Sequence, residues 1–90
     1  MMMDQSNNLL EFPCFFPLKA IGKNTDDFET FVVNTVRKHV PELHETAVNS
    51  RSSNGDKYLG VTITFIAESQ QQLDALYQEL SDSEHVLMLL

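Results

Sequence analysis

Residues 58–67 read YLGVTITFIA, and large apolar side chains recur at every second position of this run. Leu59, Val61, Ile63 and Phe65 would share one face, because successive side chains of a strand point to opposite sides. Thr62, Thr64 and Ile66 belong to the opposite set. The pattern predicts a central strand that buries one face in the core.

A turn and a weaker strand precede this run. Residues 52–56 contain Asn54-Gly55, a pair that tolerates the positive φ angles of tight hairpins. Before the turn, residues 46–51 alternate weakly, and Val48 is their only large apolar residue. Such limited burial is typical of a strand at the edge of a sheet. We therefore expect a hairpin whose first strand lies at an edge.

Two helical stripes flank the hairpin. The first covers 28–40 and ends before Pro41, with Asn24 or Thr25 expected as its cap. The second covers 70–80, and Ser69 with Gln72 has the spacing of a capping box. The apolar positions recur with the helical period of three and four residues. They are Phe28, Phe31, Val32, Thr35 and Val36 in the first helix, and Leu73, Leu76, Tyr77 and Leu80 in the second.

Residues 15–22 and 86–90 complete the pattern as the first and last strands. The order β-α-β-β-α-β is that of a ferredoxin-like α+β fold. We expect a two-layer sandwich with a four-stranded antiparallel sheet in the order 4-1-3-2 and both helices on one face. Residues 1–8 are expected to form a flexible N-terminal arm, and residues 9–90 a single domain.

Composition narrows the function classes. Thirteen acidic and six basic residues give a formal net charge of −7, which disfavours nucleic acid and anionic membrane surfaces as partners. The single cysteine, Cys14, excludes an internal disulfide and favours a reducing compartment. The start of the chain lacks the apolar run of a secretory signal, so we predict a cytoplasmic protein.

Chemistry-bearing motifs are scarce. His39, His44 and His85 do not have the spacing of a metal site, and no catalytic constellation stands out, so we expect no catalytic residue, no metal and no cofactor. Gly22, Lys23, Asn24 and Thr25 precede the first helix and form a candidate anion-binding segment through free backbone donors. The alternative is that these four residues only make a turn and a cap.

The last strand offers a second candidate. Residues 86–90 are all apolar, whereas an edge strand with a bare outer face should alternate. Something should therefore cover the sheet face away from the helices, either another chain or the N-terminal arm through Leu9, Leu10 or Phe12. The predicted interaction surface consists of Ile21, Thr62, Thr64, Ile66, Leu87 and Leu89.

Several stretches resemble the YbeD-like family of small bacterial proteins: residues 9–13, 19–22, 37–39, 53–58, 61–64, 76–80 and 86–90. The resemblance covers roughly residues 9–90, nearly the whole chain. It implies a ferredoxin-like fold similar to ACT regulatory domains, which bind small ligands near the loop after their first strand. It also implies a link to lipoate metabolism through neighbouring lipoate-attachment genes.

These observations favour a non-enzymatic regulatory or binding module with a protein partner or a small ligand, and a homodimer is one option. Two rivals share the fold. An acylphosphatase-like hydrolase should have a glycine-rich loop with an arginine, but residues 22–25 offer only Lys23. An RRM-like RNA-binding module should display aromatic and basic side chains on its central strands. In residues 58–67 the outward set has one aromatic side chain, Tyr58, and no basic one.

Overall fold

A computed structural model describes residues 11–44 and 47–90 of the chain, so the predicted arm at residues 1–8 lies outside the described residues. The elements in chain order are β1 (Cys14–Lys23), α1 (Phe28–His39), β2 (Val48–Ser52), β3 (Tyr58–Ala67), α2 (Gln70–Ser81) and β4 (Val86–Leu89). A 3-10 turn at Asn54–Asp56 joins β2 to β3. The predicted order of elements is confirmed.

The four strands form one antiparallel sheet in the order β2-β3-β1-β4. This is the predicted 4-1-3-2 arrangement of a ferredoxin-like fold. β1 and β3 pair along their whole length, from Cys14 opposite Ala67 to Lys23 opposite Tyr58. The long central pair fixes which side chains share a face, because residues directly opposite one another in a sheet point the same way.

One hydrophobic core lies between the sheet and the helices. Alternate residues of β1 and β3 pack against the apolar stripes of α1 and α2, so both helices cover the same face. The most buried members include Leu18, Ile63, Phe28, Val36 and Leu76. The core members from the strands are Leu18, Ala20, Val61, Ile63, Phe65 and Ala67, and those from the helices are Phe28, Val32, Val36, Leu73, Leu76 and Leu80.

Helix α1 begins later than its predicted cap. Asp27 is the N-cap residue and makes no side-chain capping bond, so neither Asn24 nor Thr25 plays this role. Instead, the carbonyl of Thr25 accepts a hydrogen bond from the amide of Phe28 at 3.3 Å. Strand β1 also runs one residue further than the predicted end at Gly22, because Lys23 remains in the ladder opposite Tyr58.

The start of α2 is joined to the end of α1. The amide of Gln72 donates to Ser69 Oγ at 3.1 Å, which confirms half of the predicted capping box. The Gln72 side chain departs from the motif, since its Oε1 accepts from the amide of Glu68 at 2.7 Å. Its Nε2 donates to the carbonyl of His39 at 2.8 Å, so one amide group connects both helices.

Candidate functional site: the open sheet face

The sheet face away from the helices, here called the open face, is defined by strand register. In the central rows, Arg51 of β2 lies opposite Gly60, and Gly60 lies opposite Ile21. Ile21 in turn lies opposite Met88 of β4. The open face comprises Phe15, Pro17, Lys19, Ile21 and Lys23 of β1, Asn49 and Arg51 of β2, Tyr58, Gly60, Thr62, Thr64 and Ile66 of β3, and Met88 of β4.

Four of the predicted surface residues, Ile21, Thr62, Thr64 and Ile66, lie on the open face. The placement of Leu89 was wrong. Leu89 lies opposite the buried Ala20 and packs against the core, so it points toward the helices.

A register shift in β4 explains this difference. The pairing passes from Ile21 opposite Met88 directly to Gly22 opposite Val86, and it leaves Leu87 without a direct partner in β1. Such an irregularity places two consecutive side chains outside the core. Leu87 and Met88 are accordingly 54% and 53% exposed. Leu90 follows on the open face, because its backbone exchanges hydrogen bonds with that of Lys19.

Exposed apolar side chains are concentrated on the sheet. Among the described residues, the large hydrophobic side chains with high exposure all come from β1, β3 or the β4 end of the chain, and none comes from a helix. They are Phe15, Tyr58, Ile66, Leu87, Met88 and Leu90. Phe15 and Ile66 are cross-strand neighbours and also border a cavity of about 450 Å³ that reaches Val40 and Leu43 at the end of α1.

Positive charge is concentrated on the same face. Lys19, Lys23 and Arg51 lie on it, which is half of the chain's six lysines and arginines, and no strand residue of the open face is acidic. Sequence periodicity did not reveal this cluster, because basic residues were sought in the outward set of β3 alone and were not combined with those of the neighbouring strands. Alternation in β1 and β2 was the signal that could have found it, since Lys19 and Arg51 both fall at outward positions.

The two cations meet at a groove above Gly60. A groove of about 530 Å³ has Lys19, Arg51, Tyr58 and Thr62 among its lining residues. Gly60 leaves room for it, since a Cβ added there would lie 3.3 Å from Lys19 Cε and 3.7 Å from the carbonyl oxygen of Arg51. Within residues 11–44 and 47–90, neither Lys19 nor Arg51 forms an ion pair. The arrangement can bind an anion.

The predicted anion segment at residues 22–25 does not present the expected donors. The amide of Asn24 donates to the carbonyl of Lys57 at 3.0 Å, and that of Thr25 donates to the carbonyl of Lys23 at 2.8 Å. Gly22 is buried beneath the ring of Phe28 and has ladder partners in both β3 and β4. The expectation of free donors at Gly22, Lys23, Asn24 and Thr25 was therefore wrong for the two loop amides.

The structure also tests part of the alternative in which the N-terminal arm covers the open face. Phe12 packs against the core, which lies on the helix side of the sheet, so it does not cover the open face. Leu9 and Leu10 lie outside the described residues.

The helix layer carries a separate charged cluster. Lys38 and His39 at the end of α1 both contact the carboxylate of Glu79, with His39 Nε2 at 2.9 Å from Glu79 Oε1. Hydrogen bonds from Lys38, and then from His39, lower the pKa of Glu79. In the part of the chain that the structure describes, no group of three or more His, Cys, Asp or Glu side chains has the arrangement of a metal site. No helix among those residues is long and apolar enough to cross a bilayer.

Comparison with known proteins places the chain in a family. Residues 7–90 match the model of a family described as "Protein of unknown function (DUF493)". The chain belongs to the DUF493 family. A UPF0250 protein from Chromobacterium violaceum is 43% identical over 89 residues, which cover 99% of this chain and 100% of the relative. A second UPF0250 protein, from Nitrosomonas europaea, is 42% identical over 92% of this chain and 95% of its own length. The resemblance to YbeD-like proteins is thereby confirmed.

A solved structure supports the fold of this DUF493 chain. The solution structure of protein HP0495 from H. pylori superposes with a TM-score of 0.75 and covers 100% of this chain and 94% of its own. The two sequences are 15% identical, so the likeness concerns the fold alone.

Proposed function

We propose that this chain is a non-enzymatic binding module with a regulatory role in the cytoplasm, and that a partner protein binds to its open face. The observation that carries the proposal is the concentration of exposed apolar side chains on one side of the sheet. Contiguous exposed apolar surface on a small domain is typical of an interaction site. Phe15 and Ile66 are suited to be anchors, because they flank a cavity that a partner side chain can enter.

A different protein fits this face better than a second copy of the chain. A two-fold dimer through the open face would bring Lys19, Lys23 and Arg51 close to the same cations of its mate. The face supplies no acidic strand residue to neutralise them, and like charges across an interface oppose association. The homodimer is therefore the less favoured form of the proposal.

Small-ligand sensing of the ACT type has less support. It would place the ligand near residues 22–25, where Gly22 is covered by Phe28 and the amides of Asn24 and Thr25 are already bonded. The same contacts count against an acylphosphatase-like phosphate cradle at this segment.

Affinity capture with matched variants tests the proposal. The tagged chain is used as bait in native lysate of the source cells beside a Phe15→Ser/Ile66→Ser variant and a Gln71→Ser/Ala75→Ser control on the exposed side of α2. We expect the wild type and the control to retain the same proteins and the face variant to lose them. Retention of identical proteins by all three baits, or of none by the wild type, would refute a partner-binding open face. Circular dichroism verifies that each bait is folded.

A further inference from the structure

We infer that the groove above Gly60 is a subsite for carboxylate side chains of an acidic segment in the partner protein, held between Lys19 and Arg51. This inference rests on the proposed function and adds the chemistry of the partner. It predicts that recognition combines apolar anchoring near Phe15 and Ile66 with charge recognition about half a strand away.

The position of the two cations is set by the sheet. Arg51 lies directly opposite Gly60, while Lys19 lies opposite Thr62 on the other neighbouring strand, so the cations approach the same point of β3 from two sides. Gly60 has no side chain to fill the space between them. A guanidinium offers paired donors that match a carboxylate, and an ammonium adds a point charge.

The polar surroundings suit an anion as well. The groove is also lined by Asn49, Ser53, Tyr58 and Thr62, whose side chains can all donate hydrogen bonds. The carboxylate of Asp56 accepts a hydrogen bond at 2.9 Å from the Oγ of Ser52, which is one of the residues that line the groove. Asp56 is thus engaged with the hairpin turn and is not paired with Lys19 or Arg51.

The small number of cations in the groove favours a short acidic protein segment over a long polyanion. A net charge of −7 opposes a long polyanion such as RNA, whose phosphates extend well beyond a groove with two cations. Over a short segment the local field is decisive, because charges further away than about 8 Å are largely screened at physiological salt. A peptide also supplies apolar side chains for Phe15 and Ile66, which inorganic phosphate cannot do.

The test is a titration of the ¹⁵N-labelled chain followed by two-dimensional NMR. The probes are a hexaglutamate peptide, inorganic phosphate and a twelve-nucleotide single-stranded RNA, each at physiological ionic strength, where charges beyond about 8 Å are largely screened. The variants are Lys19→Gln and Arg51→Gln, and the matched control is Arg37→Gln, which removes the same charge from α1. We expect hexaglutamate to shift the amide signals of Gly60 and Thr62 saturably, and each groove variant to weaken this binding at least threefold. The control should bind as the wild type does.

Three results would overturn the inference: unchanged hexaglutamate binding by Arg51→Gln, equal weakening by the Arg37→Gln control, or stronger saturable shifts at Gly60 with phosphate or RNA. Sedimentation at increasing concentration decides whether a second copy occupies the groove instead.

The capture experiment separates the two proposals. If Arg51→Gln bait retains the partner that Phe15→Ser/Ile66→Ser bait loses, the binding module stands and the carboxylate subsite does not. If hexaglutamate binds but the wild-type bait captures no protein, the groove binds carboxylates, but the partner-binding module is refuted and with it the assignment of the ligand to a partner protein.

Discussion

The ring of Phe28 occupies the space in which a side chain at Gly22 would stand. A Cβ added to Gly22 would lie 2.4 Å from Phe28 Cε1 and 2.5 Å from the carbonyl oxygen of His85. The glycine therefore permits close packing between β1, the first turn of α1 and the segment that leads into β4. This role depends on contacts with residues six and 63 positions away, and one of the two obstacles is backbone, which cannot rotate aside.

We predict that Gly22→Ala destabilises the protein by about 1–3 kcal/mol, because the added methyl group overpacks a region that has no space for it. Chemical denaturation of the variant and the wild type measures the difference. Gly60→Ala is the matched control, since the closest neighbour of its Cβ would be the flexible Lys19 Cε at 3.3 Å, and its stability should change by no more than about 0.5 kcal/mol. Equal effects at the two glycines would contradict this assignment.

A second prediction concerns the amide that joins the helices. Gln72→Ala leaves the amide of Glu68 and the carbonyl of His39 without their side-chain partner, and it should cost about 1–2 kcal/mol of unfolding free energy. Thermal and urea denaturation measure it. The exposed neighbour Gln71 provides the control, and Gln71→Ala should stay within about 0.5 kcal/mol of the wild type. If the two variants were equally stable, the bridge would have no energetic role.

Acid should weaken the contact between the helix ends. The pKa of Glu79 is lower in the folded state because Lys38 and His39 donate to its carboxylate. A carboxyl group with a lowered folded pKa stabilises the fold above its unfolded pKa, near 4.5, and this contribution is lost as the pH falls through the folded value. We therefore expect Glu79→Gln to lose less stability than the wild type between about pH 5 and pH 3.

A carboxyl NMR titration provides the direct check. Lys38→Gln should raise the pKa of Glu79 toward its ordinary value, since the first of its two donors is removed. Lys57→Gln, which alters a cation in the hairpin loop, should leave that pKa unchanged. An unaltered pKa in Lys38→Gln would show that the contact does not persist in solution.

Local periodicity was sufficient to predict the core but not the open face. Val61 and Ile63 were assigned correctly, because strict alternation in β3 can be satisfied by one register only. The groove required knowledge of cross-strand pairing, since Lys19 and Arg51 belong to different strands and meet only across Gly60. Gly22 was predicted to end β1 and to belong to a candidate anion-binding segment, because a glycine that is needed for distant packing has no local signature.

The last strand shows the same limit most clearly. Residues 86–90 are uniformly apolar, so the sequence offers no alternation from which to choose a face, and the irregular pairing at Leu87 cannot be seen. The structure assigns Leu89 to the core and leaves Leu87 exposed. These two leucines therefore form an internal comparison in which the residue type and the strand are the same.

We predict that Leu89→Ala costs about 1–2 kcal/mol, because the side chain is partly buried against the core and its removal leaves apolar neighbours without a contact. Leu87→Ala should change the unfolding free energy by less than about 0.5 kcal/mol, since the leucine is 54% exposed. Urea denaturation of both variants measures the difference. Equal effects of the two substitutions would instead support the simple alternation in which Leu87 and Leu89 share one face, and the opposite ranking would contradict the register that assigns Leu89 to the core.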